Sequence, residues 1–284
     1  MKNRISVLVN TFNEEKNIQN CLESVKWVDE IILVDMYSDD KTVDIAKRYT
    51  DKIYFFEKCG YADPARNFAL EKASGEWILV IDADELVPLA LKNRLLEIAK
   101  NDLADVVLIP RNNYIFSHLF KFGGSGPLQD AQFRFFKKGY LAFSPAIHQI
   151  YNINRDARVL KINKANEGFI HFAYASVEHW VDKMDRYSAI EANNVFNGIK
   201  KTDMTLKGLF IKSFKSFVKK FFIQKGYRDG EFGFLWVLLE LTYFNVSYLK
   251  FKLMKKFNTI NTEEKIRDEY RQITKKILDE YDKS

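Results

Sequence analysis

Three carboxylates stand within four residues at Asp82-Ala83-Asp84-Glu85. Like charges this close repel, so the cluster needs a cation or a positive partner. Oxygen ligands suit Mg2+ or Mn2+, which are commonly held by one or two carboxylates plus substrate phosphates. A metal-bound diphosphate leaves readily because the ion neutralises the charge that develops. The plainer reading is a solvated acidic loop capping the helix near Pro88. The run before the acids favours the first: Trp77-Ile78-Leu79-Val80-Ile81 reads as a buried strand that delivers them to a sheet edge.

Other chemistry-bearing residues follow similar runs. Thr11-Phe12-Asn13-Glu14-Glu15 comes directly after the apolar segment 5–10. Asp35, at the end of segment 31–34, can accept a bond from a ribose or a base edge. Ser38, Asp39 and Asp40 behind it serve equally as cap and turn residues. Arg66 opens a helix-like stretch, where it can pair with a diphosphate, pair with an acidic rim residue, or stand as a surface arginine. Asp130 follows the flexible run Gly123-Gly124-Ser125-Gly126-Pro127. His171 ends a short strand-like run and can reach a metal or a phosphate, although a lone histidine is more often structural. His148 sits in a loop after Pro145, and Cys21 and Cys59 form no metal or redox motif.

The elements that must position these residues alternate. Strands are expected at 5–10, 31–34, 53–56, 77–81 and 106–110, with helices near 15–28, 41–49, 62–73 and 89–100. Strand–helix alternation implies right-handed crossovers and a mostly parallel sheet covered on both faces. In such sheets ligands bind outside the carboxyl ends of the strands. The clusters at 11–15, 35–42 and 82–85 therefore converge on one rim. Beyond 110 the pattern breaks, leaving short strands at 132–136 and 168–172 and helices at 176–200, 207–225, 231–257 and 262–281.

These segments resemble glycosyltransferase family 2. The resemblance rests on Val9-Asn10-Thr11-Phe12-Asn13-Glu14-Glu15, Val34-Asp35 with Ser38-Asp39-Asp40-Lys41-Thr42, Ala65-Arg66-Asn67, and the run from Gly75 to Glu85. It is most similar to the lipopolysaccharide-core β-glucosyltransferase branch, through Trp27-Val28-Asp29-Glu30-Ile31 and an Asp-x-Gln-x-Arg-x-Phe run from Asp130 to Phe136. The resemblance implies an α/β GT-A fold, a nucleotide-diphosphate sugar donor, Mg2+ or Mn2+, and inversion at the anomeric carbon. It assigns Thr11, Asn13, Glu15, Asp35, Arg66 and Asp82 to the nucleotide-sugar site and Asp84 to the metal, with His171 as a further candidate ligand. Met36 departs from the family pattern, where a second Asp or a Ser is common, so the donor base need not be uracil. Inversion requires one general base to deprotonate the acceptor hydroxyl. Asp130 is the first candidate and Glu85 the second.

The expected organisation is a catalytic domain over 1–200, with a nucleotide-sugar half at 1–110 and an acceptor half at 111–200, then a helical extension over 201–284. The 284 residues carry a net charge of +6 with pI about 9.0. Segment 207–257 holds eleven Lys/Arg against three acids, an excess of eight, while the rest nets minus two. The basic character is local and implies a local anionic partner. Phe210, Phe214, Phe217 and Phe221 are expected on one helical side with Lys212, Lys215, Lys219 and Lys220 between them, which suits an anionic membrane surface. A membrane span wants ~20 apolar residues. Glu240, Thr242, Asn245 and Ser247 interrupt the second helix, so these helices are expected to lie in the interface or to pair in a homo-oligomer. Packing on the catalytic domain is the plainer alternative. No nucleic-acid motif is present. The start of the chain runs almost directly into a strand, so no signal peptide is expected, and a cytoplasmic, membrane-peripheral location fits. The acceptor is expected to be a glycolipid or polysaccharide. The rival readings are a nucleotidyltransferase and a non-catalytic membrane-surface binding protein.

Overall fold

The computed structural model describes residues 3–57, 63–143 and 151–281. His148 and Cys59 lie outside the described residues. The chain divides into two compact units, Met1–Ala175 and Ser176–Ser284.

Among its described residues, the first unit has thirteen strands and four α-helices. The strands are β1 (Ile5–Thr11), β2 (Glu30–Asp35), β3 (Ile53–Phe55), β4 (Trp77–Asp82), β5 (Glu85–Leu86), β6 (Val106–Ile109), β7 (Arg111–Ile115), β8 (His118–Leu119), β9 (Gln132–Lys137), β10 (Leu141–Phe143), β11 (Tyr151–Ile153), β12 (Val159–Lys161) and β13 (Phe169–Tyr174). The helices are α1 (Ile18–Val25), α2 (Thr42–Ala46), α3 (Asp63–Lys72) and α4 (Leu89–Lys100). The main sheet has seven strands in the order β12-β6-β9-β4-β1-β2-β3. Only β9 runs against the others. All seven residues of β1 are buried, as an apolar strand covered on both faces must be. One face packs on α1 and α4 through Ile18, Leu22, Leu91 and Leu95, the other on α3 and β10 through Ala65, Ala69 and Phe143. The five expected strands and four expected helices are all present, within a few residues at their ends.

A second sheet, in the order β5-β13-β7-β8, carries the rest of the site. Strand β13 runs parallel to β7 and antiparallel to β5. Two of its strands are only two residues long, so no periodicity announces them. Strands β10 and β11 form a separate antiparallel pair.

The second unit holds α5 (Val177–Phe196), α6 (Leu206–Phe217), α7 (Gly230–Phe257) and α8 (Thr262–Tyr281). The unit boundary falls at 175/176, not at 200/201. Helix α5 belongs here because Ala192 packs with Phe251 and Met254 of α7, and the Lys250 ammonium donates to the Asp185 carboxylate. Two expectations for this unit are corrected. The helix from α6 changes to a wider π-turn over Val218–Ile223, which rotates the apolar stripe. Phe210 and Phe214 are exposed, whereas Phe217 and Phe221 stack on each other and Phe221 meets Phe234. In addition, Lys220 is paired with Glu240, and Lys212 lies over the Phe244 ring. The helical run Gly226–Phe257 is long and apolar enough to cross a membrane by length and composition, with 22% of its apolar window buried. The polar interruptions therefore do not take it below that threshold.

Candidate active site

The three acids of the 82–85 turn part company because each is captured by a different element. Strand β4 ends at Asp82 and β5 begins at Glu85, so the turn passes from the main sheet to the second sheet.

Asp82 is bound by two arginines. Arg66 Nη2 of α3 donates to Oδ1 at 2.7 Å, and Arg134 of β9 donates through Nη1 and Nη2 at 3.2 and 2.7 Å. Strand β9 brings Arg134 there because it enters the sheet antiparallel, at the edge where β4 leaves. Burial alone would raise the Asp82 carboxyl, but the two guanidiniums outweigh it and hold it well below the ordinary carboxylate range. Burial likewise opposes the Arg134 charge, and Asp82 and Glu85 more than restore it. Of the alternatives open for Arg66, the structure shows the pairing with an acidic rim residue.

Glu85 is fully buried. One oxygen accepts from the Asp82 backbone N–H at 3.0 Å and the other faces Arg111 Nη1 at 3.4 Å. A carboxylate with no exposure cannot meet an acceptor hydroxyl, so Glu85 is corrected from candidate base to a group that shapes the acidic turn.

Asp130 lies at the mouth of the second sheet. Its backbone N–H donates to Gly126 O at 2.9 Å. A Cβ at Gly126 would lie 2.1 Å from Lys121 O, so only glycine lets this loop fold back and place Asp130. Oδ2 accepts from Arg111 Nε and Nη2 at 3.0 and 2.7 Å and from Asn113 Nδ2 at 2.8 Å. Oδ1 accepts from Gln132 Nε2 at 3.1 Å. The side chain is a quarter exposed.

Asp84 and His171 meet across the second sheet, with His171 Nε2 3.6 Å from Asp84 Oδ2. The Phe172 N–H donates to Asp84 O and fixes the turn against β13. His171 Nδ1 lies 2.6 Å from Asn113 Oδ1. The Asn113 amide is oriented because its Nδ2 donates to Ser125 O and to Asp130. Its oxygen must therefore accept, so Nδ1 of His171 carries the hydrogen, an assignment made from the bonding network. In the neutral ring this leaves the Nε2 lone pair turned toward a carboxylate.

The rim loops of β1 and β2 are laced together. The Asn13 N–H donates to Ser38 Oγ, Asn13 Nδ2 to Asp39 Oδ1, Glu14 N–H to Thr42 Oγ1 and Lys41 N–H to Glu15 Oε2. Asp35 accepts from the Ser38 N–H and hydroxyl at 2.7 and 2.6 Å. The side chains of Asn13, Glu15 and Asp35 thus first build the rim, and any nucleotide contact comes in addition. The Thr11 hydroxyl differs: it is buried and without a hydrogen-bond partner. Cys21 packs beneath, its Sγ donating to Asp82 O at 3.5 Å; burial and then the neighbouring acids push its thiol pKa well up.

Sequence reasoning missed Arg134, Arg111 and Asn113. Arg134 lies inside the Asp130-to-Phe136 run and was there to be weighed. Arg111 and Asn113 carry no local signal, since β13 chooses them by pairing His171 with Asn113. Among the described residues no group of three or more His, Cys, Asp and Glu side chains is arranged to hold a metal.

A mostly parallel sheet with an arginine-bound acidic turn on its carboxyl rim, flanked by a small second sheet, is the arrangement of a GT-A fold. The family model for glycosyl transferase family 2 matches residues 6–151, over half of the chain, and the chain belongs to that family. It is similar to a glycosyltransferase of Rickettsia felis, 28% identical over 273 residues, covering 92% of this chain and 94% of that one. The lipopolysaccharide core biosynthesis glycosyltransferase LpsC of Rhizobium meliloti is 26% identical over 66% of this chain and 70% of its own length. A crystal structure of S. aureus TarS 1-349 in complex with UDP-GlcNAc matches with a TM-score of 0.45 and 19% identity, over 67% of each chain.

Proposed function

We propose that this glycosyltransferase is inverting and metal-dependent, and moves a sugar from a nucleotide-diphosphate sugar to a glycolipid or polysaccharide acceptor of the lipopolysaccharide-core kind. The observation that carries the reading is the Asn113–His171–Asp84 chain. Hydrogen bonding from Nδ1 fixes the ring and leaves Nε2 and a carboxylate oxygen facing each other, which is how a protein prepares a histidine for a cation. The donor set fits Mg2+ or Mn2+, which need few protein ligands when phosphates complete the shell. Asp84 and His171 would hold the ion, and when bound it would neutralise charge on the departing diphosphate.

The chain's own residues do the rest. Arg66 and Arg134 keep Asp82 ionised and fixed at the rim. Asp130 is the proposed base: Arg111 and Asn113 orient its carboxylate, and its partial exposure lets an acceptor hydroxyl approach. The second unit supports work at the cytoplasmic membrane surface, since Phe210, Phe214, Phe222, Ile223 and Leu235 are exposed among lysines.

The test is product analysis with a panel of nucleotide sugars, with and without Mn2+. Release of nucleoside diphosphate that stops in EDTA and in Asp84→Ala supports the reading. Pyrophosphate release would assign nucleotidyl transfer instead, and undiminished sugar transfer in EDTA would remove the metal.

A further inference from the structure

We infer that Tyr151 is a positioning residue for proton transfer: its hydroxyl fixes the side-chain amide of Gln132, and that amide aims one oxygen of Asp130 at the acceptor. The inference rests on Asp130 as the base in the reading above. The Tyr151 hydroxyl donates to Gln132 Oε1 at 2.9 Å, and Gln132 Nε2 donates to Asp130 Oδ1 at 3.1 Å. The direction of both bonds follows from the carboxylate. A flipped amide would set its oxygen against an Asp130 oxygen, so Nε2 must face Asp130 and Oε1 must accept from Tyr151, an assignment made from the bonding network. Burial pushes the Tyr151 pKa up, which keeps its hydroxyl protonated and able to donate.

The two oxygens of Asp130 are not equivalent. Oδ2 accepts three hydrogens, two from Arg111 and one from Asn113. A carboxylate oxygen offers about two lone-pair directions, so Oδ2 is saturated. Among the described residues Oδ1 accepts from Gln132 alone. Its remaining lone pair is therefore the one that can take a proton. As the acceptor oxygen bonds to the anomeric carbon and the bond from that carbon to the diphosphate oxygen breaks, the acceptor O–H bond breaks and its proton passes to Oδ1. The Gln132 bond decides where that lone pair points.

Long-range pairing brings Tyr151 to this place. Strand β11 pairs with β10 and sets Tyr151 opposite Phe143. Helix α3 clamps Phe143 in turn: Asn67 Nδ2 donates to Phe143 O at 2.7 Å, and the Phe143 N–H donates to Asn67 Oδ1 at 3.0 Å. The Tyr151 ring meets Phe133 edge-on, with centroids 5.4 Å apart, and Phe143 with centroids 5.9 Å apart. A ring held by two neighbours delivers its hydroxyl to one spot with little freedom left to lose. Phenylalanine would serve that packing equally well. Among the described residues the hydroxyl bonds to Gln132 alone, so the oxygen is there for the amide.

The experiment follows nucleoside diphosphate release from UDP-glucose, UDP-N-acetylglucosamine, UDP-galactose and GDP-mannose in Mn2+, with water as the acceptor, and takes the donor that wild type turns over fastest. Tyr151→Phe, Gln132→Met, Asp130→Asn and the double variant Tyr151→Phe/Asp130→Asn are compared by kcat, donor KM and thermal melting. Tyr151→Phe should lower kcat ~3–10-fold, because one neutral hydrogen bond is removed. Gln132→Met should lower it ~10–100-fold, because the bond to the carboxylate itself is removed. Donor KM should stay within about twofold of wild type in both, since an interaction needed at proton transfer and not at donor binding has been lost. On the Asp130→Asn background, Tyr151→Phe should cost nothing further, as it acts through Asp130. Full kcat in Tyr151→Phe overturns the inference. So does a loss shared between kcat and donor KM with a lowered melting temperature, which marks a packing role, and so does an added loss on top of Asp130→Asn. Should Tyr151→Phe not fold, Gln132→Met must show the same split, and its failure to do so overturns the inference. If Asp130→Asn keeps full kcat, or wild type turns over none of the four donors, the reading beneath has failed and the inference falls with it.

Discussion

Replacing Arg134 by methionine tests the argument that Asp82 is an anchored group and not a free rim acid. The Arg134 side chain is 4% exposed and donates two charge-assisted bonds to Asp82. Each such bond is worth ~1.5–3 kcal/mol. Arg66 still holds Oδ1 in the variant, and Asp82 is 26% exposed, so water recovers part of the loss. The expected cost is ~2–4 kcal/mol, at or below the ~3–5 kcal/mol for breaking a fully buried pair. For a unit of this size, that lowers the melting temperature by on the order of 5–12 °C. The effect has a pH signature. A carboxyl whose folded pKa is depressed stabilises fully above its unfolded value of ~3.9, and loses that contribution as pH falls toward the folded value. The gap between wild type and Arg134→Met should be full at pH 7 and narrow below about pH 4. Thermal melts across that range, with Asp82→Asn closing a double-mutant cycle, supply the measurement. A melting temperature within ~2 °C of wild type, a gap that ignores pH, or additive single mutants would refute the reasoning.

The remaining expectations concern the second sheet and the basic helices. Asp130→Asn should lower kcat by ~10²–10⁴ with donor affinity little changed, read by steady-state kinetics; full activity would end its assignment as base. Asn113→Leu should weaken Mn2+ binding ~10–100-fold, read by metal titration of donor-dependent thermal shifts, because the hydrogen bond that orients His171 is gone. Equal metal affinity in that variant would show that His171 is not a ligand. Neutralising the exposed Lys207, Lys215, Lys219 and Lys225 to glutamine should remove ~4 kcal/mol of attraction to anionic vesicles in a sedimentation assay. A wild-type protein that fails to pellet at low salt would leave the helices without a membrane role.

Most of the main sheet was legible because β1, β2 and β4 are long and apolar on both faces, whereas β12, three residues and mostly exposed, gave no signal. Trp77 to Ile81 is such a run, and a strand of that kind ends at a carboxyl rim. Of the second sheet only β13 was legible: β5 and β8 have two residues each, and pairing between His171 and Asn113 spans 58 positions. The boundary at Ala175 was hidden because α5 has the polar face of a domain-covering helix, and its small buried patch is matched only by α7. The phenylalanine stripe was misread because a 3.6-residue period was carried through Phe217, where the helix widens into a π-turn.

The same limit explains the acidic turn. Four adjacent residues look like one site, and local charge repulsion called for a cation or a positive partner. The fold solves the repulsion differently, by sending each acid to a partner that only long-range pairing can deliver. Asp82 goes to Arg134 because β9 is antiparallel, Glu85 goes inward to Arg111 because β5 pairs with β13, and Asp84 is left at the rim facing His171. Two of the three charges are thereby met by arginines inside the fold, which is how the turn carries three acids in four residues.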